Sequence, residues 1–265
     1  MNIQVSAPAP AIGLDGVPAA VTALSHVDGA RGELIIAGRR VDDLAGAVDF
    51  ERVARRLWAI AGAAEAPALG PLRLKAFERA VEIGPVLKGM TPVDALRAGI
   101  AALDVPDGPD AEAAITAAVP VMSLTALAMS EGRPAVAPDP ELSHAADILR
   151  MLRGVPVSEG EAAALDAYLT TVSDHGMNAS TFACRVVIAT RASLVSAVTA
   201  AYGALSGPLH GGAPGPVLDM LDAIGTEAAI DGWLDAALED GARLMGFGHR
   251  IYRTRDPRAD VLKAA

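Results

Sequence analysis

The chain has 265 residues, of which 52% are hydrophobic but only 3% aromatic, and its formal net charge is −10. Such an acidic chain is a poor candidate for nonspecific binding to nucleic acid or to an anionic membrane, because both depend on positive protein surface. The single cysteine, Cys184, excludes an intrachain disulfide and fits a reducing compartment. We therefore expect a cytoplasmic protein whose core is mostly Ala, Leu, Val and Ile, a mixture that favours closely packed helices.

The first half of the chain predicts a short strand pair followed by capped helices. Residues 13–40 contain a β-favouring stretch bounded by Gly32 and Gly38. One helix is expected to begin after Asp49, and the next at Thr91 and Pro92, where threonine caps and proline occupies the first turn. Residues 158–161 have capping-box spacing, and the helix that they open should end near Asp174. Its predicted buried face comprises Leu165, Tyr168, Leu169 and Val172.

Two long stretches, residues 113–130 and 192–218, carry no formal charge. Their length alone would allow a membrane span, but Pro120, Gly203 and small polar residues interrupt them and favour the interior of a soluble protein. Residues 181–189 and 194–205 are apolar almost all round, which predicts helices that are buried on every side at the centre of the fold.

Three histidines lie in short motifs that place them beside glycine. His175 belongs to residues 174–181 (Asp-His-Gly-Met-Asn-Ala-Ser-Thr), His210 to residues 207–213 (Gly-Pro-Leu-His-Gly-Gly-Ala), and His249 to residues 246–249 (Gly-Phe-Gly-His). A neutral imidazole donates one hydrogen bond, accepts another, and exchanges a proton near neutral pH. Because backbone beside glycine can approach a ligand closely, the three motifs predict one site assembled from three loops.

The third motif is surrounded by positive charge. Guanidinium groups bind carboxylates and phosphates through paired hydrogen bonds, so imidazoles beside arginines suit an anionic substrate whose carbonyl is polarised. The cluster comprises Arg243, Arg250, Arg253, Arg255 and Arg258. By itself it fits a solvated helix face equally well. His26 and His144 lack such a context and are interpreted as structural, and Cys184 as a core residue. The sequence has neither a zinc-binding spacing nor a Gly-x-Ser-x-Gly elbow, so we expect no metal and no serine hydrolase.

At these motifs the chain resembles the citrate synthase family. The three motifs and their continuation through residues 251–258 occur in the family's order and at similar spacing. The Asp28-Gly29 turn and residues 13–17 are also similar to the shorter bacterial members. The resemblance implies an all-α fold with a large helical domain over residues 1–212, an incomplete small helical domain over residues 213–265, and a short N-terminal β-hairpin. It also implies a homodimer or larger homo-oligomer with central helices at the interface.

The reaction implied by the resemblance condenses acetyl-CoA with oxaloacetate to give citrate and CoA through an enol or enolate. His210 would hydrogen-bond the thioester oxygen, and His249 would polarise the ketone of oxaloacetate and protonate the developing alkoxide. His175 and Arg258 would hold oxaloacetate. Arg253, with Gly246 and Gly248, would contact CoA, which is a cosubstrate rather than a permanently bound cofactor.

The resemblance leaves two alternatives open. The family's catalytic aspartate and later substrate-binding arginines belong to a stretch that would follow Ala265, so the chain is either part of a condensing enzyme or a shortened binding or regulatory relative, which could pair with a full-length one. Within the enzymes the second candidate is 2-methylcitrate synthase, which takes propionyl-CoA. One methylene in an apolar pocket separates the two substrates by only ~1–3 kcal/mol.

Overall fold

A small antiparallel sheet lies at the start of the described chain. The computed structural model describes residues 20–63, 65–212, 214–242, 244, 246–248 and 251–265, so the expectation for residues 13–17 lies outside the described residues. The strands are β1 (Ser25–Asp28), β2 (Glu33–Ile36) and β3 (Arg39–Arg40). Asp28 pairs with Glu33 across a tight turn. The predicted strand pair is confirmed, and the two-residue β3 extends it.

The other regular elements of the described chain are all helices, which confirms the all-α prediction. Short 3₁₀ turns occur at Val41–Asp43 and Glu227–Ala229. The helices are α1 (Phe50–Ile60), α2 (Leu69–Leu87), α3 (Pro92–Ala101), α4 (Ala111–Ser130), α5 (His144–Arg153), α6 (Glu159–Val172), α7 (Ala179–Ile188), α8 (Leu194–Leu205), α9 (Pro214–Ile224), α10 (Ile230–Glu239) and α11 (Pro257–Ala264).

The predicted helix starts are confirmed by their caps. The Asp49 carboxylate accepts a hydrogen bond from the Arg52 amide at 2.8 Å, and Thr91 caps α3 in the same way. Ser158 and Glu161 form a reciprocal capping box, in which each side chain accepts from the other residue's backbone amide. Because each cap satisfies an amide that the helix leaves unpaired, it stabilises its helix by ~1 kcal/mol.

The core is centred on α4, which packs against α2 and α3. Val121 and Met122 are fully buried there, and Met122 lies directly over Gly99 of α3, where any side chain would overlap it. By length and apolar composition α4 could cross a membrane, but half of its residues are buried inside the fold. Its apolar surface therefore serves as the centre of the helical core, as the sequence predicted.

A buried ion pair joins α2 to α5. Arg73 and Asp147 are both fully buried, and Arg73 Nε donates to Asp147 Oδ2 at 2.7 Å. Arg73 also donates to the carbonyl oxygens of Asp139 and Leu142, so the loop before α5 is fixed as well. His144 stacks on Phe50 with 5.5 Å between ring centroids, and burial lowers its pKa to about 4. His144 is thus a neutral core residue at pH 7, which agrees with its structural interpretation.

The predicted buried face of α6 is wrong for Tyr168 and Val172, whereas Leu165 and Leu169 are partly buried. Ala167, Thr170 and Thr171 are its buried residues, whereas Tyr168 is 48% exposed and Val172 is 36% exposed. The neighbours of α6 are α1, α5 and α11, and they approach the side that carries small residues. The apolar stripe therefore did not mark the packed face, because close helix packing favours small side chains at this position.

The prediction that α7 and α8 are buried on every side is also wrong for the single chain. No residue of α7 is fully buried, and only Ala197 of α8 is. The two helices pack against each other, and α8 also contacts α3, but their remaining faces are open. Val186, Ile188 and Leu205 are 40–52% exposed there. The apolar composition of these helices is therefore not explained by packing within one chain.

Candidate functional site

The first histidine motif forms the loop between α6 and α7. The Asp174 carboxylate accepts a hydrogen bond from the Gly176 amide at 3.1 Å and another from the Ser25 hydroxyl of β1. Asn178 caps α7 by accepting from the Thr181 amide at 2.9 Å. His175, half-buried, lies between these two fixed points. Its ring is therefore held by a short loop that is hydrogen-bonded at both ends.

The second motif is a closed turn after α8. The Gly211 amide donates to the Leu205 carbonyl at 2.7 Å, and the amides of His210 and Gly212 donate to the Gly207 carbonyl at 3.0 and 3.1 Å. A Cβ on Gly211 would overlap the Leu205 side chain at 2.8 Å. Helix α8 thus ends in a compact turn that points His210 back towards the start of α7.

The ring of His210 is held by Ser180, a residue that the sequence analysis did not single out. His210 Nε2 lies 2.9 Å from Ser180 Oγ, which in turn lies 2.8 Å from Asn178 Oδ1. A serine hydroxyl carries one hydrogen, and Asn178 Oδ1 has a second lone pair beside the one that accepts from the Thr181 amide, so the Ser180 hydrogen can be donated either to Oδ1 or to His210 Nε2. When the Ser180 hydrogen points at Nε2, the ring's own hydrogen lies on Nδ1, where it can be donated to a ligand oxygen.

The third motif is described only in part. His249 lies outside the described residues, as do Arg243 and Arg250. Gly246 and Gly248 both have left-handed backbone, with φ of 85° and 79°. The segment that follows crosses the β1–β2 turn, where the Arg253 amide donates to the Gly29 carbonyl at 2.8 Å. Only glycine adopts such backbone conformations without strain, so both positions favour glycine.

Arg258 is positioned by Asp256, a second residue that sequence analysis overlooked. Asp256 caps α11, and its carboxylate accepts from Arg258 Nε at 3.0 Å and from Nη2 at 2.6 Å. The pairing raises the pKa of Arg258. Because Nε and Nη2 are engaged, Nη1 is the part of the guanidinium that makes no hydrogen bond to another described residue. Asp256 thus orients the permanently charged guanidinium of Arg258, and Nη1 can bind an anionic ligand.

Three of the predicted residues lie close enough to interact electrostatically. The pKa of His175 is lowered first by burial and then by the positive charge of Arg258, and His210 contributes in the same direction. Residues from the α6–α7 loop, the α8–α9 loop and the first turn of α11 therefore lie within electrostatic range of one another. A neutral imidazole beside a guanidinium can donate a hydrogen bond without adding a second positive charge that would have to be balanced.

Arg253 and Arg255, the other two described members of the predicted cation cluster, have different surroundings. The side chain of Arg253 is exposed, and Arg255 forms an ion pair with Asp260. A separate cavity of about 540 Å³ lies between α2, α4 and the loop that joins α3 to α4, and no histidine lines it. Among the described residues, no group of His, Cys, Asp and Glu has the arrangement of a metal site. The candidate site is thus the composite of His175, His210 and Arg258.

The fold and this composite histidine–arginine site together define an all-α protein of a recognisable class. A family model described as "Citrate synthase, C-terminal domain" matches residues 13–265. The citrate synthase of Haloferax volcanii is 36% identical over 273 residues, which cover 95% of this chain and 72% of that relative. The 2-methylcitrate synthase of Mycobacterium tuberculosis is 34% identical over 267 residues, covering 96% of this chain and 68% of that relative.

A solved structure agrees with the sequence relatives. The ternary complex of carboxymethyl coenzyme A and oxaloacetate with citrate synthase from Thermoplasma acidophilum superimposes with a TM-score of 0.80 at 27% identity, covering 95% of this chain and 71% of that chain. The chain belongs to the citrate synthase family. The family resemblance and the all-α fold that it implied are therefore confirmed, and the division into domains at residues 212 and 213 stays a prediction.

Replacing Arg258 should change the titration of His175. In Arg258→Gln the guanidinium charge is lost and Asp256 is left without its partner, so both changes favour the imidazolium and the pKa of His175 rises. The measurement is an NMR titration of the histidine ring protons. Arg133→Gln, which alters an exposed arginine paired with Glu131, is the control and should leave His175 unaffected. An unchanged His175 titration in Arg258→Gln would mean that the two side chains do not meet.

Proposed function

We propose that the chain acts as a citrate synthase-type acyltransferase in the tricarboxylic acid cycle of the cytoplasm, condensing acetyl-CoA with oxaloacetate to give citrate and CoA. The observation that carries this proposal is the convergence of His175, His210 and Arg258 from three separate loops. A cation and two hydrogen-bonding imidazoles are the groups that a small keto-dicarboxylate requires. Family membership supports the choice of this reaction over others that use the same chemistry.

Oxaloacetate would be held by His175 and Arg258. Arg258 offers Nη1 to a carboxylate while Asp256 holds its other edge, so the cation is oriented before the substrate arrives. His175 is neutral near pH 7 because burial and Arg258 lower its pKa, and it can donate one hydrogen bond to a substrate oxygen. These groups are oriented when the protein folds, so less free energy is lost in ordering them when the substrate binds.

The thioester would be activated by His210. An acetyl thioester is a very weak carbon acid, and the oxyanion that develops as the methyl proton leaves needs a preorganised donor. With Ser180 directed at Nε2, His210 can donate from Nδ1 to that oxygen. Such a donor is worth about 3–4 kcal/mol of barrier lowering. His249 would polarise the ketone and protonate the alkoxide. The methyl proton would be removed by the family's catalytic aspartate, which belongs to a stretch that would follow residue 265.

CoA would be contacted by the third motif and the segment after it. Arg253 has an exposed side chain and a backbone amide fixed to Gly29, so its guanidinium can meet phosphates arriving from solvent. Gly246 and Gly248 would leave backbone open to the cosubstrate.

A second candidate, 2-methylcitrate synthase, is favoured by one specific observation. The M. tuberculosis relative that carries this name is 34% identical to the chain, close to the 36% of the H. volcanii citrate synthase. Propionyl-CoA differs by one methylene, a difference of ~1–3 kcal/mol in an apolar pocket. The two acyl-CoA substrates must therefore be compared directly.

Turnover and binding should be measured separately on the purified chain. With oxaloacetate and acetyl-CoA, and with the C-terminal segment that carries the aspartate supplied, it should release free thiol, and His210→Ala should lower that rate by about 10²–10³-fold while changing calorimetric oxaloacetate binding only a few-fold. His26→Ala, which alters an exposed histidine of β1, is the control. Propionyl-CoA assayed in parallel decides between the two synthases.

The outcomes separate the remaining hypotheses. Oxaloacetate binding without thiol release from either acyl-CoA supports the binding or regulatory relative and rejects catalysis by this chain. Neither binding nor release, with an intact citrate synthase active in the same assay, rejects the proposal altogether.

We also propose that the chain forms a homodimer through α7 and α8. These helices are apolar almost all round, yet Val186, Ile188 and Leu205 remain 40–52% exposed in the single chain. An exposed apolar face of this kind is unfavourable in water unless another surface covers it. A second copy of the same chain would cover it with an identical face about a twofold axis.

Light scattering tests the dimer. The chain should have the mass of a dimer or larger species at micromolar concentration, and Val186→Lys should shift it towards monomer because a charge would be buried at the interface. Val155→Lys is the matched control, since Val155 is 55% exposed in the loop before α6. A wild-type chain that is monomeric under these conditions would exclude this interface.

A further inference from the structure

We propose that the N-terminal β-hairpin, which supplies no group to the proposed chemistry, is the support that sets the two oxaloacetate-binding motifs relative to each other. This inference rests on the proposed function. Strand β1 and the β1–β2 turn contact two segments that are distant from each other in sequence. One is the His175 motif, and the other is the segment of residues 251–258 that ends at Arg258.

The first contact is made by β1. The Ser25 hydroxyl donates to Asp174 Oδ1, the same oxygen that accepts from the Gly176 amide. The Val27 side chain approaches Gly176 as well, 3.8 Å from the position of a Cβ on that residue. Asp174 and Gly176 flank His175 on either side, so β1 holds both neighbours of the ring.

The second contact is made by the turn. The Gly29 carbonyl accepts from the Arg253 amide at 2.8 Å. A Cβ on Gly29 would overlap the carbonyl oxygen of Ile251 and lie 2.8 Å from its carbonyl carbon. Real Cβ atoms do not approach backbone so closely, and backbone cannot yield by rotating a side chain. The segment therefore rests directly on the glycine, with no space for any side chain between them.

The rest of the hairpin continues the same support. A Cβ on Gly32 would lie 2.6 Å from Thr254 Oγ1 and 2.8 Å from the Arg255 carbonyl oxygen. Helix α11, which carries Arg258 in its first turn, packs against β2 and the 3₁₀ turn of Val41–Asp43. Val261 of α11 joins the small apolar cluster of Leu34 and Ile36. From Ile251 to Val261 the chain thus follows the hairpin.

These contacts assign Ser25 and Gly29 as positioning residues. The His175 motif and Arg258 have no covalent constraint between them over this distance in sequence, and the hairpin contacts both. A displacement of about 1 Å between groups that bind one small molecule can cost up to 10²-fold in function. A hairpin that fixes their separation therefore influences ligand affinity without touching the ligand.

The two residues should have different effects on the two ligands. Ser25→Ala releases only the His175 motif, so it should weaken oxaloacetate binding by a few-fold and leave CoA binding within about twofold. Gly29→Ala displaces residues 251–253, so it should weaken oxaloacetate by roughly tenfold and CoA as well, because Arg253 lies in the displaced segment. A role in stability alone predicts lower melting temperatures with unchanged affinities of the folded protein for both ligands.

The experiment is calorimetry with oxaloacetate and with CoA, together with melting temperatures and amide hydrogen exchange. Gly160→Ala controls for the glycine change, because a Cβ there meets nothing within 4 Å, and Ser130→Ala controls for the loss of a hydroxyl. The Arg253 amide should exchange slowly in the wild type and faster in Gly29→Ala, but not in Gly160→Ala.

The readouts distinguish failure of this inference from failure of the proposed function. Wild-type affinities and an equally protected Arg253 amide in Gly29→Ala overturn the inference, whatever the melting temperature. If the unaltered chain binds neither oxaloacetate nor CoA, the proposed function fails and the hairpin has no ligand affinity to control, so the inference is overturned with it. Exchange of the Arg253 amide in that case shows separately whether the contact with Gly29 exists.

Discussion

The structure depends on one electrostatic arrangement, in which both the positive charge of Arg258 and the nearby His210 act on His175. The arrangement holds a single positive charge, and each member is held in place by other groups. Asp256 binds the guanidinium of Arg258 through two nitrogens, and burial keeps His175 neutral. The result is a site with one permanent cation and two rings that can donate or accept hydrogen bonds, which matches an anionic keto acid better than a neutral ligand.

The supports of this arrangement are built into the ends of helices. Asn178 caps α7, and Asp256 caps α11. Ser180, in the first turn of α7, holds His210, and the turn after α8 is closed by its own amides. Helix ends leave backbone groups unpaired, and the side chains that satisfy them are thereby fixed in place. The hydrogen bonds that cap these helices therefore also orient the side chains of the site.

Much of this architecture could be predicted from the sequence, because the signals were local. Asp49, Thr91 and Ser158 marked helix starts, and the glycine-bearing motifs marked the loops that carry His175 and His210. Ser180 and Asp256 were missed although both lie within the quoted motifs, since their roles depend on partners fixed by tertiary folding.

The buried face of α6 was wrong because the packed side was determined by the neighbouring helices rather than by residue hydrophobicity. The open faces of α7 and α8 could not be distinguished from a buried core, because composition does not say whether a helix is covered by its own chain or by another.

The most direct test of this account is a crystal structure of the chain soaked with oxaloacetate. The account predicts density for one molecule that contacts the side chains of His175 and Arg258 and lies within reach of His210. Oxaloacetate bound elsewhere, for example in the cavity between α2 and α4, would contradict it if His175, His210 and Arg258 were also too far apart to contact one ligand.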